Sequence, residues 1–185
     1  MNELKGKNVL VFAGPDFEDR ELFYPYYRFK EAGASVKVAG LGAPEYLGKC
    51  GVPITVDGRY EDFSGQKWDL VLIPGGWAPD KIRMNPSALE IVRSALRQDA
   101  VVAAICHAGW VLCSANVLEG RKVTSYMAIK DDMIHAGADW VNEEVVLDRS
   151  GKAGTGTIVT SRTPDDLPAF TSQIIALFAK VPIEV

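Results

Sequence analysis

The chain has 185 residues, of which 48% are hydrophobic, enough for one globular domain with a sizeable core. The formal net charge of −4 comes from 20 basic and 24 acidic residues that are well mixed, which argues against a nucleic-acid-binding surface. No apolar run approaches the roughly 20 residues that span a bilayer, and the N-terminus has no signal or transit pattern. We therefore expect a single cytoplasmic domain over residues 1–185, with neither membrane nor nucleic acid as a partner.

Strand-like and helix-like segments alternate in the first half of the chain. Residues 8–12 (NVLVF) form a continuous apolar run, typical of a strand buried on both faces. A turn follows, and a helix is predicted from residues 16–18 to about residue 32, with Gly33 as its stop. The rest of this half is predicted to contain a strand at 35–39, an irregular stretch with short β-like pieces at 40–68, and a buried strand at 69–73.

The second half continues the alternation. Pro86 suits the first position of a helix that runs to about residue 98, and residues 100–105 (AVVAAI) form the most apolar strand. A helix over 106–116 follows this strand. The remaining predicted elements are a short strand at 122–124, a helix at 128–136, a hairpin of 141–148 with 157–160 around Gly151, Gly154 and Gly156, and a last helix from 163–166 to about Lys180.

Alternating strands and helices predict an α/β fold with a mostly parallel, doubly wound sheet. In such sheets the functional site lies at the carboxyl ends of the strands. That rule selects three stretches in which to look for chemistry: residues 14–21, 74–80 and 106–110.

Cysteine and histidine usage narrows the kind of chemistry. The three cysteines, Cys50, Cys106 and Cys113, have neither disulfide-framework nor CxxC spacing. The two histidines, His107 and His135, and the scattered carboxylates show no metal-ligand spacing either. We expect no metal and no cofactor.

Cys106 is the candidate nucleophile, because it ends a buried strand and begins a predicted helix. A thiol at a helix N-terminus faces unpaired N–H groups and the positive end of the dipole, which lower its pKa. The turn resembles a nucleophile elbow with cysteine in place of serine. The alternative is a buried core cysteine, since free cysteine is among the most buried residue types.

Four further residues are candidates beside Cys106. Gly75 and Gly76 follow a strand predicted to neighbour the Cys106 strand and could present N–H groups to an oxyanion, although a plain Pro-Gly-Gly turn explains them equally well. Glu21, one turn into the first helix, could transfer protons, although acidic residues also favour first turns through the helix dipole. His107 adjoins Cys106, but adjacent residues on a tight turn point in different directions.

An ordered set of short motifs resembles the ThiJ/PfpI superfamily, and within it the PfpI-like intracellular cysteine hydrolases. The motifs cover nearly the whole chain: Phe17-Glu18-Asp19 with Glu21 four residues before Pro25, Ile73-Pro74-Gly75-Gly76, Ile105-Cys106-His107, Thr124-Ser125-Tyr126, Ile129-Lys130-Asp131-Asp132, and Thr160-Ser161-Arg162-Thr163-Pro164-Asp165-Asp166.

The resemblance implies a flavodoxin-like three-layer sandwich with Cys106 on the elbow and Glu21 hydrogen-bonded to its thiol. It implies an oxyanion hole formed by the backbone of Gly76 and His107, and a tyrosine, Tyr126, that lines the site. It also implies a homo-oligomer, a dimer or hexamer, in which Asp80 pairs with His107 of a neighbouring subunit. The family usually has glutamate at the Asp80 position and Gly-Pro where this chain has Ala108-Gly109-Trp110.

The resemblance further implies a cofactor-independent enzyme that acts on small-molecule or peptide carbonyl substrates, as a protease, glyoxalase or deglycase. All three activities use thiolate attack on a carbonyl with proton transfer by a carboxyl or histidine. The rival hypothesis is a stress-response protein without turnover that senses oxidants through Cys106, since a reactive thiol beside a carboxyl also favours controlled oxidation.

Overall fold

The structure is a computed structural model that describes residues 2–150 and 156–179. The described residues form these strands: β1 Asn8–Phe12, β2 Ser35–Gly40, β3 Glu45–Leu47, β4 Pro53–Thr55, β5 Gly58–Arg59, β6 Leu70–Ile73, β7 Val101–Ile105, β8 Lys122–Val123, β9 Asp139–Trp140, β10 Val145–Asp148 and β11 Thr157–Ser161. They form these α-helices: α1 Asp19–Glu31, α2 Tyr60–Phe63, α3 Ala78–Ile82, α4 Pro86–Arg97, α5 Gly109–Ala115, α6 Lys130–His135 and α7 Leu167–Phe178.

A sheet of seven strands in the order β10-β11-β7-β6-β1-β2-β5 forms the centre of the fold. Its neighbouring strands are parallel, apart from the antiparallel pair of β10 and β11. The predicted α/β fold with a mostly parallel sheet is therefore confirmed. Two small sheets lie outside it: β3 pairs with β4, and β8 pairs with β9.

Helices flank this sheet and complete a three-layer sandwich. Helices α1 and α7 pack against each other, while α4 packs against both α2 and α5. The middle strands β6 and β7 are buried along their whole length, because the runs LVLI and VVAAI carry apolar side chains on both faces. Burial on both faces suits the central positions of β6 and β7, so the segments that follow them lie side by side at the carboxyl edge.

Several sequence predictions need correction. The stretch after Gly76, for which no element was predicted, forms helix α3 and buries Ala78, Pro79 and Ile82. The strand expected over 141–148 starts only at Val145, because residue 141 donates its backbone N–H to Val123 in the β8–β9 region. Gly151, Gly154 and Lys180, expected in the hairpin turn and at the end of the last helix, lie outside the described residues.

No helix in residues 2–150 or 156–179 combines the length and the apolar character that crossing a bilayer requires.

Candidate functional site

The order of the sheet brings the three selected stretches together. Strand β6 lies between β1 and β7, and all three run in the same direction, so their carboxyl ends share one edge of the sheet. The segment after β1 leads into α1 with Glu21, the segment after β6 is Pro74-Gly75-Gly76, and the segment after β7 begins with Cys106. One pocket at this edge is lined by residues from all three segments.

Cys106 occupies a strained turn directly after β7. Its φ of 61° lies in the left-handed region, which a non-glycine residue adopts at a cost and which is common at functional sites. The residues 106–108 form a 3-10 turn, and helix α5 begins only at Gly109, so the predicted helix over 106–116 is shorter at both ends. This conformation keeps the side chain half-buried at the pocket rather than in the core.

Backbone N–H groups surround the Cys106 sulfur. The N–H groups of His107 and Gly76 both act to lower its pKa, as donors directed at a negatively charged sulfur do. Gly75 lies between Cys106 and Glu21 and in close contact with both. A Cβ at position 75 would be 2.6 Å from Glu21 Oε2 and 2.7 Å from Cys106 Cβ. Glycine is thus required at position 75 by close approach, in addition to any need of the turn.

Glu21 is fully buried and contacts the thiol. Its Oε2 accepts a hydrogen bond from the Gly75 N–H at 2.8 Å. Its Oε1 is buried without a conventional partner among the described residues, and the side chain interacts with the Cys106 thiol. Burial, reinforced by the negative charge of Glu18, raises the pKa of Glu21 to about 8. Near neutral pH the carboxyl is therefore protonated and has a proton to donate to the sulfur.

The prediction that the helix N-terminus lowers the pKa of Cys106 is wrong. Burial, followed by the negative charge of an ionised Glu21, raises the pKa of this thiol to about 12, while the N–H groups of His107 and Gly76 act in the opposite direction. Protonation of Glu21 removes the repulsive charge. The thiolate is therefore less disfavoured when Glu21 holds its proton, although burial still raises the pKa of the thiol.

His107 is closer to the thiol than the sequence suggested. Its Nδ1 lies 3.3 Å from the Cys106 sulfur. Three aromatic rings surround the imidazole, with centroid distances of 5.5 Å to Trp77, 5.1 Å to Trp110 and 4.9 Å to Tyr126. Burial, followed by the charge of Lys49, lowers the pKa of His107 and favours the neutral imidazole.

Tyr126 and Asp80 have different positions relative to the pocket. Tyr126 lines it, and its backbone N–H donates to the carbonyl of Cys106 at 3.2 Å. Asp80 instead lines a neighbouring cleft, where its carboxylate forms an ion pair of 2.8 Å with Lys81. This pairing lowers the pKa of Asp80. Within one chain, Asp80 is therefore not brought to His107.

Two basic residues that were not predicted as site residues, Lys49 and Arg20, also line the Cys106 pocket. Lys49 lies in the stretch 40–68 that was predicted to be irregular, on a turn between β3 and β4. The glycines on either side of it, Gly48 and Gly51, were the available signal for a tight turn. Nothing in the sequence indicated that this turn lies against α1.

The structure brings no group of three His, Cys, Asp or Glu side chains together for a metal within residues 2–150 and 156–179.

The fold and site together define a flavodoxin-like α/β protein with a cysteine on a strand-to-helix turn at the carboxyl edge of the sheet. The chain belongs to the DJ-1/PfpI family, whose sequence profile matches residues 7–177. The family resemblance predicted from the motifs is confirmed.

Named relatives cover almost the whole chain. It is 41% identical to Deglycase PfpI of Pyrococcus furiosus, over 91% of this chain and 98% of that protein. It is 38% identical to General stress protein 18 of Bacillus subtilis, over 95% of this chain and 99% of that protein. The solved structure of Drosophila melanogaster DJ-1beta matches with a TM-score of 0.83 at 28% identity, covering 95% of this chain and 91% of that one.

Proposed function

We propose that this protein is a cofactor-independent cysteine enzyme that acts on carbonyl compounds, as a deglycase or glyoxalase. The observation that carries the proposal is the surroundings of Cys106, where the backbone N–H groups of Gly76 and His107 favour negative charge on the sulfur and the buried carboxyl of Glu21 lies across Gly75. The relative named Deglycase PfpI supports the same class of substrate.

In the proposed reaction, the Cys106 thiolate attacks the aldehyde carbon of an α-oxoaldehyde such as methylglyoxal. A C–S bond forms, and the carbonyl oxygen becomes an oxyanion that the N–H groups of Gly76 and His107 stabilise. The protonated Glu21 carboxyl supplies the proton that converts this oxyanion into a hemithioacetal. When the substrate is a hemiaminal or hemithioacetal adduct, its C–N or C–S bond first breaks, the amine or thiol leaves with the hydroxyl proton, and the regenerated aldehyde carbon is then attacked by Cys106.

The second half of the proposed reaction moves a proton from the aldehyde carbon to the neighbouring carbonyl carbon through an enediol. We assign this transfer to Glu21 and to His107, and the distance of 3.3 Å from His107 Nδ1 to the sulfur supports the assignment. The product is a thioester, which water hydrolyses to an α-hydroxy acid and the free thiol. One carbon is oxidised and its neighbour reduced, so the sequence consumes water and no external redox partner.

Parallel assays of lactate formation and peptide cleavage test the proposal. The purified protein is incubated with methylglyoxal without glutathione, and lactate is measured, while the same preparation is incubated with casein. Lactate formation supports the proposed reaction. Casein cleavage without lactate would instead support a peptidase.

A redox-sensing role is the second candidate, because the Cys106 thiol is accessible at the pocket and the protonated Glu21 beside it has a proton for the oxygen of an oxidised sulfur. The relative named General stress protein 18 supports it. One peroxide would convert the thiol to sulfenic acid and water, and a second would convert that to sulfinic acid. The test is the intact mass of the protein after mild peroxide. A gain of two oxygen atoms, in a protein that forms no lactate, would favour redox sensing over turnover.

A further inference from the structure

The rim of the Cys106 pocket has an excess of positive charge. Its acidic and basic lining residues, among those the structure describes, are Glu18, Arg20, Glu21, Lys49 and His107, and burial lowers the pKa of His107 and favours its neutral form. Burial raises the pKa of Glu21 to about 8, so this carboxyl is neutral near pH 7. One carboxylate, that of Glu18, therefore faces two cations, and the rim has a formal excess of one positive charge.

Glu18 links the two cations without using up their hydrogen-bonding capacity. Its Oε1 accepts from Arg20 Nε at 2.9 Å, and its Oε2 accepts from Lys49 Nζ at 3.4 Å. The Glu18 side chain is 9% exposed, whereas those of Arg20 and Lys49 are 65% and 40% exposed. Since a guanidinium has five donors and an ammonium three, both cations keep N–H groups free to meet a ligand.

The turn that carries Lys49 is fixed by the buried carboxylate of Asp19. This carboxylate accepts the backbone N–H groups of Cys50 at 2.8 Å and Val52 at 3.2 Å. It lies so close to Gly48 that a Cβ there would be 2.4 Å from Asp19 Oδ1. Both the backbone of this turn and Glu18 therefore hold Lys49 at the pocket. Binding of a ligand then costs less conformational entropy, because Lys49 is already ordered.

The charge of Lys49 reaches the reacting groups. It adds to the lowering of the His107 pKa, which burial dominates, and it partly opposes the rise that burial causes in the pKa of Glu21. The ammonium also lies 6.0 Å from the centroid of the Trp77 ring, beside His107. An anionic group on a molecule attached to Cys106 would therefore lie within the field of this cation.

We propose that Lys49 and Arg20 form a subsite for a carboxylate, so that the pocket prefers carbonyl substrates with a carboxylate near the reacting carbon over neutral ones of the same size. The formal excess of one charge matches a carboxylate better than a phosphate monoester, which carries about −1.5 to −2 near pH 7. The proposal rests on Cys106 being the nucleophile of the proposed function.

Two alkylating reagents of nearly equal size test this preference without turnover. Iodoacetate and iodoacetamide both form a C–S bond to the thiolate and release iodide, but only the first carries a carboxylate. The rate of modification at Cys106 is measured for each by peptide mapping, with N-acetylcysteine as the reference thiol. Because both reagents need the same thiolate, the ratio of the two rates is independent of the Cys106 pKa.

We expect the ratio of iodoacetate to iodoacetamide rates to be higher at Cys106 than at N-acetylcysteine. Lys49→Met should lower it roughly three-fold, the scale of one partly exposed charge interaction, and Arg20→Gln should lower it as well. High salt should reduce the difference in this rate ratio between the wild type and the two variants, because it screens the charges. Lys37→Met is the matched control, because Lys37 also pairs with a carboxylate, that of Asp57, away from the pocket.

Equal ratios in Lys49→Met, Arg20→Gln and Lys37→Met would overturn the subsite. Should Lys49→Met fail to fold by circular dichroism, Arg20→Gln decides alone, since its side chain is largely exposed. Lactate formation by the wild type, measured in parallel, separates the two proposals. Lactate with an unchanged ratio overturns the subsite alone, whereas no lactate with the expected ratio changes supports the charge preference and overturns the proposed reaction.

Discussion

The Glu21 carboxyl on helix α1 and the Cys106 thiol after strand β7 interact across the backbone of Gly75. Gly75 donates its N–H to Glu21 Oε2 at 2.8 Å, and a Cβ on this residue would collide with both partners. The contact therefore depends on three neighbouring strands and a glycine between them. It is the arrangement from which the proposed proton transfer follows.

Replacing Glu21 with glutamine should reduce turnover much more than it affects folding. Glutamine keeps the shape and the hydrogen bond from Gly75 but cannot transfer a proton to the oxyanion. We expect a loss of roughly a hundredfold or more in kcat, the scale of general acid–base catalysis. The measurement is lactate formation, with circular dichroism to verify the fold. Near-normal turnover would leave Glu21 with a structural role at the helix start.

The same variant should change how stability depends on pH. Burial raises the pKa of Glu21 from 4.5 to about 8, so between these values the folded state holds a proton that the unfolded chain has released. The stability associated with this group is complete below about pH 4.5 and is lost as the pH rises towards 8. Relative to Glu21→Gln, the wild type should lose about 1.4 kcal/mol per pH unit in this window.

Denaturant titrations of wild type and Glu21→Gln at several pH values between 5 and 8 measure this difference. Parallel curves for the two proteins would mean that Glu21 is ionised in the folded state.

Adding one methyl group at Gly75 should disrupt the site. In Gly75→Ala the Cβ would overlap Glu21 Oε2 and Cys106 Cβ, and relieving such overpacking typically costs about 1–3 kcal/mol. Gly14→Ala is the matched control, because its Cβ would meet Ala78 and Ile82 at an ordinary 3.4 Å. We expect Gly75→Ala to lose both stability and turnover, and Gly14→Ala to keep turnover. Full activity in Gly75→Ala would contradict the described contact.

Assembly is predicted from the resemblance and from the exposed rim of the site. Trp77 is 55% exposed, and the nearby Asp80 carboxylate pairs with Lys81 instead of His107. We predict a homo-oligomer in which Asp80 approaches His107 of a second copy. Static light scattering at micromolar concentration should then show more than one chain per particle, and Asp80→Ala should lower turnover.

Glu143→Ala is the control for that variant, since Glu143 pairs with Lys122 outside the Cys106 pocket. A monomer would exclude a shared site, and an oligomer in which Asp80→Ala keeps full turnover would exclude the pairing alone.

The parallel core was predictable because its strands are short, continuous apolar runs. Residues 8–12 were assigned with the observed bounds, and the neighbouring positions of β6 and β7 were anticipated. From that order the meeting of Glu21, Gly75 and Cys106 at one edge follows by the general rule for parallel sheets.

The parts that were missed depend on contacts distant in sequence. The turn with Lys49 reaches the pocket through the buried Asp19, and neither residue forms a recognisable motif with the other. Helix α3 was missed because Pro79 and Asp80 resemble a loop locally, although Ala78 and Ile82 are buried. The direction of the Cys106 pKa shift was missed because burial outweighs the local effect of backbone N–H groups.

The most direct test of the central claim compares Cys106→Ala with Cys113→Ala. Cys113 is a half-buried thiol on helix α5 that contacts Met133 and lies outside the Cys106 pocket, so its removal controls for the loss of any cysteine. The measurement is lactate formed from methylglyoxal without glutathione. The proposed function predicts that Cys106→Ala abolishes lactate formation while Cys113→Ala retains it. Undiminished lactate formation by Cys106→Ala would contradict Cys106 as the nucleophile.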